Sequence, residues 1–157
     1  MAPKLAVFTS RYANAGLAAS AFVHVGITRY PPRFPLGYEL KVNLVVLAPS
    51  AAMLAQARAG RLSARAFKAQ YVRQLEKFGA ENILAALRQL QGKSKGIVLL
   101  CYEDVHAGER CHRRYLADWL KARAGLDVPE LHDLGGPPPG PRAAKRSRQF
   151  DLFPTDQ

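Results

Sequence analysis

Long apolar runs are missing from this chain. No stretch approaches the ~20 consecutive apolar residues that span a bilayer, and the apolar part of the opening MAPKLAVFTS is shorter than a secretory signal requires. The expectation is a cytoplasmic, nucleoid-associated protein with no membrane partner. Cysteine is scarce. Cys101 and Cys111 allow one disulfide at most, and a chain with an ample core in a reducing compartment has little use for it, so two free thiols are expected. Acidic residues are few: 12 Asp and Glu stand against 23 Lys and Arg, a formal net charge of +11. Such an excess favours polyanionic partners, nucleic acid or an anionic surface. The Gly-x-Ser-x-Gly and His-Glu-x-x-His runs of common hydrolases are absent. Gly92-Lys93-Ser94 lacks the upstream glycine of a phosphate-binding loop and precedes a strand instead of following one.

What is present supports one folded domain. Over 157 residues, 48% hydrophobic content is enough for a single core. KLAVFTS and AFVHVGIT read as short buried strands, and YELKVNLVVLAP as a third. Ser50 can cap a helix reaching Arg58. From Ser63, the positions Phe67, Tyr71, Leu75 and Phe78 share one helical face, leaving Arg65, Lys68, Arg73 and Lys77 largely to the others. Ile83, Leu84, Leu87 and Leu90 stripe a further helix. GIVLLCY is continuous and apolar, as a strand covered on both faces would be. A helix from about Cys111 turns Tyr115, Leu116, Trp119 and Leu120 inward, and DVPEL reads as a last short strand. The alternation predicts an α/β fold, a three-layer sandwich around a mostly parallel sheet, with a flexible C-terminal tail.

The expected domain runs over residues 1–134. Residues 135–148 hold four prolines, three glycines and four basic residues, the composition of a flexible linker. The chain from 135 onward carries four Lys or Arg and two Asp, so +9 of the +11 belongs to the domain. This favours a nucleic-acid-facing surface over a merely basic arm. Beyond the linker, Gln149, Phe150, Asp151, Leu152 and Phe153 resemble the short peptide by which bacterial polymerases and repair proteins dock on the DNA sliding clamp. That resemblance implies an apolar pocket on the clamp, the beta subunit of the bacterial DNA polymerase, which takes the Leu-Phe pair while the glutamine sets register. A tether of this kind would replace intrinsic DNA affinity by effective concentration.

The chemically suggestive stretch is LCYEDVHAGERCHRRYLADWL. Its strand delivers Cys101, Tyr102 and Glu103 to the C-terminal edge of the sheet, where open α/β folds place their sites. Cys101, at the end of a buried strand, reads more readily as an inert core thiol. The following helix opens on Cys111, His112, Arg113 and Arg114. Basic residues there oppose the macrodipole, a conflict that a phosphate on the first-turn amides with Arg113 or Arg114 would resolve. The same field would bias Cys111 toward thiolate, with Glu103 and His106 or His112 as acid and base; the alternative is that His112 and Arg113 are plain surface residues. A zinc site from Cys101, His106, Cys111 and His112 is disfavoured: the spacings fit no common finger or ribbon, and neighbours at 111 and 112 strain a tetrahedron. No metal and no cofactor are expected.

LCYE followed by CHRRYLADWL, with PEL soon after, resembles the signature of the bacterial family known as domain of unknown function 488. TSRY, GITRYPPRF and LAPS extend the likeness upstream, over nearly all of residues 1–134. The resemblance implies a compact α/β domain in which the LCYE strand and the CHR helix face one pocket, joined by Ser10, Arg11 and Arg29. Two functions are expected. One is a DNA repair or base-processing hydrolase, glycosylase-like, with Glu103, Cys111 and His112 catalytic and Ser10, Arg11, Arg29, Arg113 and Arg114 on DNA phosphates. A flipped base would stack on Tyr12, Tyr30 or Phe34. The other is a non-catalytic accessory protein that binds clamp and DNA together.

Overall fold

The computed structural model describes residues 3–108 and 110–135. Four parallel strands, β1 (Val7–Arg11), β2 (Val23–Gly26), β3 (Val42–Asn43) and β4 (Ile97–Cys101), form one sheet in the order β1-β4-β2-β3. The last strand in sequence is thus inserted between the first two and buried along its whole length, which explains its unbroken apolar run. Its alternating side chains feed two cores. Ile97 and Leu99 join Val7 and Val25 against α1 (Ala51–Arg58), α2 (Ala64–Phe78), α3 (Ala80–Gln91) and α4 (His112–Ala124). Val98 and Leu100 point the other way, against Tyr12, Leu17, Tyr38 and Leu40. The α/β fold with a parallel sheet is the expected one. Among the described residues four helices cover one face, and the opposite layer is a short 3-10 turn at Ala15–Ala19 with the irregular stretch 28–40.

The helix limits follow local chemistry. Ser50 Oγ accepts the Met53 amide at 3.2 Å, and Ser63 Oγ accepts that of Ala66 at 3.1 Å, each satisfying an orphan first-turn donor. Phe67, Tyr71 and Leu75 are buried as their four-residue spacing predicts, while Phe78 at the end of α2 is exposed. Gly79 (φ +83°) and Gly125 (φ +65°) take backbone conformations that favour glycine and close α2 and α4.

Two expected strands come out shorter. The third pairs only at Val42 and Asn43, because the Asn43 amide substitutes for the next rung: Oδ1 accepts Thr28 N–H at 3.3 Å and Nδ2 donates to Thr28 O at 2.5 Å. A 3-10 turn at Val45–Leu47 follows. DVPEL makes a single parallel bridge, Thr9 with Glu130, held by Thr9 N–H on Pro129 O and Leu131 N–H on Thr9 O. That bridge lays residues 128–135 along the outer edge of β1. The linker after Gly135 and the clamp-like residues 149–157 lie outside the described residues.

Candidate functional site

Where β4 ends, Cys101 faces the first residues of α4. The chain between them turns through Glu103 and a 3-10 turn at Val105–Ala107. Cys111 is the N-cap of α4, with extended backbone (φ −143°, ψ 141°), and its Sγ accepts the Arg113 amide at 3.5 Å. Because Cys111 is extended while His112 is already helical, the neighbouring side chains turn to the same side. His112 Nδ1 lies 3.6 Å from Cys101 Sγ and 3.9 Å from Cys111 Sγ. Its Nε2 is 2.7 Å from the carbonyl of Ile27, just past β2. A carbonyl only accepts, so Nε2 carries the hydrogen and the Nδ1 lone pair faces the sulfurs. The Tyr71 ring stands edge-on to the imidazole with centroids 5.5 Å apart, anchored by its hydroxyl on Leu47 O at 2.6 Å. Cys101 Sγ donates to Glu103 Oε2 at 2.9 Å.

Arg113 closes the cluster from beneath. Fully buried, it donates Nε and Nη2 to Glu130 at 3.0 and 2.8 Å and Nη1 to Glu103 O at 2.7 Å. All three of its nitrogens therefore donate inside the protein. The field separates the two thiols. Burial alone would push Cys111 up, but the neighbouring Cys101 thiol and the charge of Arg113 overcome it and hold the thiol well below its ordinary value. Burial, with the Cys111 hydrogen bond and charge, pushes Cys101 well up. Burial and the Cys111 charge do the same to the Glu103 carboxyl. Two chemically similar thiols are thus driven apart, one toward anion and one toward neutral.

Of these groups only Cys111 reaches a cleft, a cavity of about 450 Å³ between α2 and α4. Around its mouth stand Arg65 and Lys68 from α2, Arg110 before α4, and Arg114 within it, with Tyr115 on the wall. Lys68 Nζ lies 5.4 Å from the Tyr115 ring centroid. Half of the eight lining residues are cationic and none is acidic, which gives the cleft a positive field.

The residues singled out from sequence divide accordingly. Glu103, Cys111 and His112 come together with Cys101, whereas His106 is turned away, its Nε2 3.3 Å from Leu131 O. Arg114 lines the cleft, with Nη1 on Thr9 Oγ1 and Val128 O, both at 2.8 Å. Arg113 offers nothing to a phosphate, because it is buried and shared between Glu130 and Glu103 O. Ser10, Arg11 and Arg29 serve loops: Ser10 Oγ accepts from Asn14, Arg11 grips Asp133 at 2.5 Å, and Arg29 donates to Pro49 O. None of the three lines the cleft. Of the proposed stacking rings, Tyr12 is buried with its hydroxyl 2.8 Å from Thr28 Oγ1, Phe34 packs in the second core, and Tyr30 is exposed. Arg65, Lys68, Arg110 and Glu130 were not singled out. Their sequence signal is weak: basic residues on a solvent-side helix stripe, and an acid in a segment with no period.

No curated protein and no solved structure matches the chain. Over residues 7–124, from β1 to the end of α4, it matches the family model DUF488-N3a, described as the active DUF488-N3 subclade, and the chain belongs to that family.

Proposed function

We propose that this protein is an enzyme of nucleic-acid processing, a base-processing or repair hydrolase whose reaction centre is the cluster of Cys101, Glu103, Cys111 and His112. The observation that carries this reading is a single one: Cys111 sits at the floor of a cleft whose rim is cationic, so a reactive group and a receptor for phosphate share one cavity. The domain's net +9 provides the longer-range attraction. Cys111 is the member of the cluster that opens onto the cleft; Cys101, His112 and Glu103 stand behind it, and Arg113 positions them. The sliding clamp is the proposed partner of residues 149–153, which would keep the domain near DNA.

A screen of the purified chain against oligonucleotides bearing damaged bases, at several salt concentrations, tests the reading. Turnover that Cys111→Ala abolishes, with DNA binding retained, is expected. Binding and clamp-dependent effects left whole by that variant, with no turnover by the wild type, would instead support a non-catalytic accessory protein. Removing residues 149–157 should abolish capture by immobilised clamp; undiminished capture would rule out the tether.

A further inference from the structure

Two sulfurs and an imidazole nitrogen, all buried, lie within 4.8 Å of one another. We propose that Cys101, Cys111 and His112 hold one divalent cation of the zinc class, with its fourth position toward the cleft. This deepens the proposed function, since it rests on the same cleft being the reaction site.

The distances fit. A tetrahedral zinc ion with Zn–N of about 2.0–2.1 Å and Zn–S of about 2.3 Å requires N···S edges of about 3.6 Å. His112 Nδ1 is 3.6 Å from one sulfur and 3.9 Å from the other. The imidazole is also prepared as a metal ligand: Nε2–H donates to the Ile27 carbonyl at 2.7 Å, which fixes the tautomer and aims Nδ1 inward, the usual outer-shell arrangement of a ligating histidine. The objection that residues 111 and 112 cannot both serve one ion fails here. The backbone changes from extended to helical between them, so their donors converge.

Charge and ligand type agree. Binding displaces the Cys101 proton to solvent; the two thiolates then balance a divalent ion, and the nearby Arg113 is already paired with Glu130 at 2.8 Å. Thiolate with imidazole selects zinc-like ions over magnesium or calcium. Three protein ligands leave the open position of a catalytic site, whereas structural sites are closed by four. Cys111 alone of the three lines the cleft, so a water on that position would face whatever the cationic rim holds. Bound there, such an ion lowers the pKa of its water and supplies hydroxide near neutral pH.

The test uses the untagged full-length chain, stripped with chelator and titrated with Co²⁺ as a spectroscopic probe. One equivalent per chain, with sulfur-to-cobalt charge-transfer absorption that Zn²⁺ displaces, is expected. Cys101→Ser and His112→Ala should each weaken Zn²⁺ binding by more than the roughly 10–100-fold cost of losing an outer-shell partner. Should either variant not fold, wild-type thiol titration decides: Zn²⁺ is expected to protect both cysteines from a thiol reagent. An absence of charge-transfer absorption, or cysteines that react equally with and without Zn²⁺, would overturn the metal site. If Zn²⁺ fails to protect but a short oligonucleotide still shields Cys111, the metal inference falls and the reaction-site reading stands. If Zn²⁺ binds and no oligonucleotide does at any salt concentration, the site stands and the nucleic-acid reading falls.

Discussion

Replacing Glu130 by alanine tests how the cluster is held. In the wild type, Arg113 is wholly buried and its charge is met by the Glu130 carboxylate through two hydrogen bonds of 3.0 and 2.8 Å. The alanine leaves a guanidinium in the interior with only the Glu103 carbonyl as partner, and also strips the Thr9 hydroxyl of its 2.6 Å acceptor. Breaking a buried pair from one side costs about 3–5 kcal/mol. With a urea m-value of about 2 kcal/mol/M for a domain of this size, the unfolding midpoint should fall by about 1.5–2.5 M. The double variant Glu130→Leu with Arg113→Met removes both charges. It still orphans the Glu103 carbonyl, at about 1–3 kcal/mol, so it should be more stable than the single variant even though it carries one more change. Urea melts of wild type, Glu130→Leu, Arg113→Met and the double give the coupling directly. A midpoint for Glu130→Ala within about 0.5 M of wild type would show that Arg113 is not held as described.

Other outcomes follow from the same geometry. A Cβ at Gly26 would collide with the Asn43 amide and the Tyr12 hydroxyl, so Gly26→Ala should lose about 1–3 kcal/mol through overpacking; an unchanged thermal midpoint would contradict this. His24 is buried, with Nε2 unpartnered among the described residues. Burial lowers its pKa against an opposing backbone bond to Glu39. The folded protein therefore keeps His24 neutral where the unfolded chain takes up a proton, so its contribution is full above pH of about 6.5 and is lost as pH falls. His24→Phe should flatten stability between pH 7 and 5, and an unaltered slope would count against the assignment. Lys68→Ala and Arg65→Ala should each reduce the salt slope of oligonucleotide binding by about one, with the same melting curve; slopes equal to wild type would remove the cleft from the binding surface.

Much of the fold is legible where local chemistry decides. Ser50 and Ser63 announce their helices, the run through Leu100 can only be a doubly covered strand, and Gly79 and Gly125 punctuate. The site is legible in part for the same reason: Cys101 and Cys111 flank a single strand-to-helix crossing, so the crossing itself brings them together. What stays hidden depends on distant partners. Arg113 looks like a surface cation until Glu130 arrives from a segment without periodicity. Arg65 and Lys68 become a rim only because α2 packs beside α4. Asn43 ends its strand by copying a backbone rung with its side chain, a substitution that composition does not encode.

The strap along β1 has a mechanical meaning. Glu130 holds Arg113, Asp133 holds Arg11, and both Leu134 N–H and the His132 carbonyl are fastened by Asn14. Tension applied beyond Gly135 would load those fasteners in order, first the Asn14 and Asp133 ties and then the Glu130 clasp, before any of it reached the thiols.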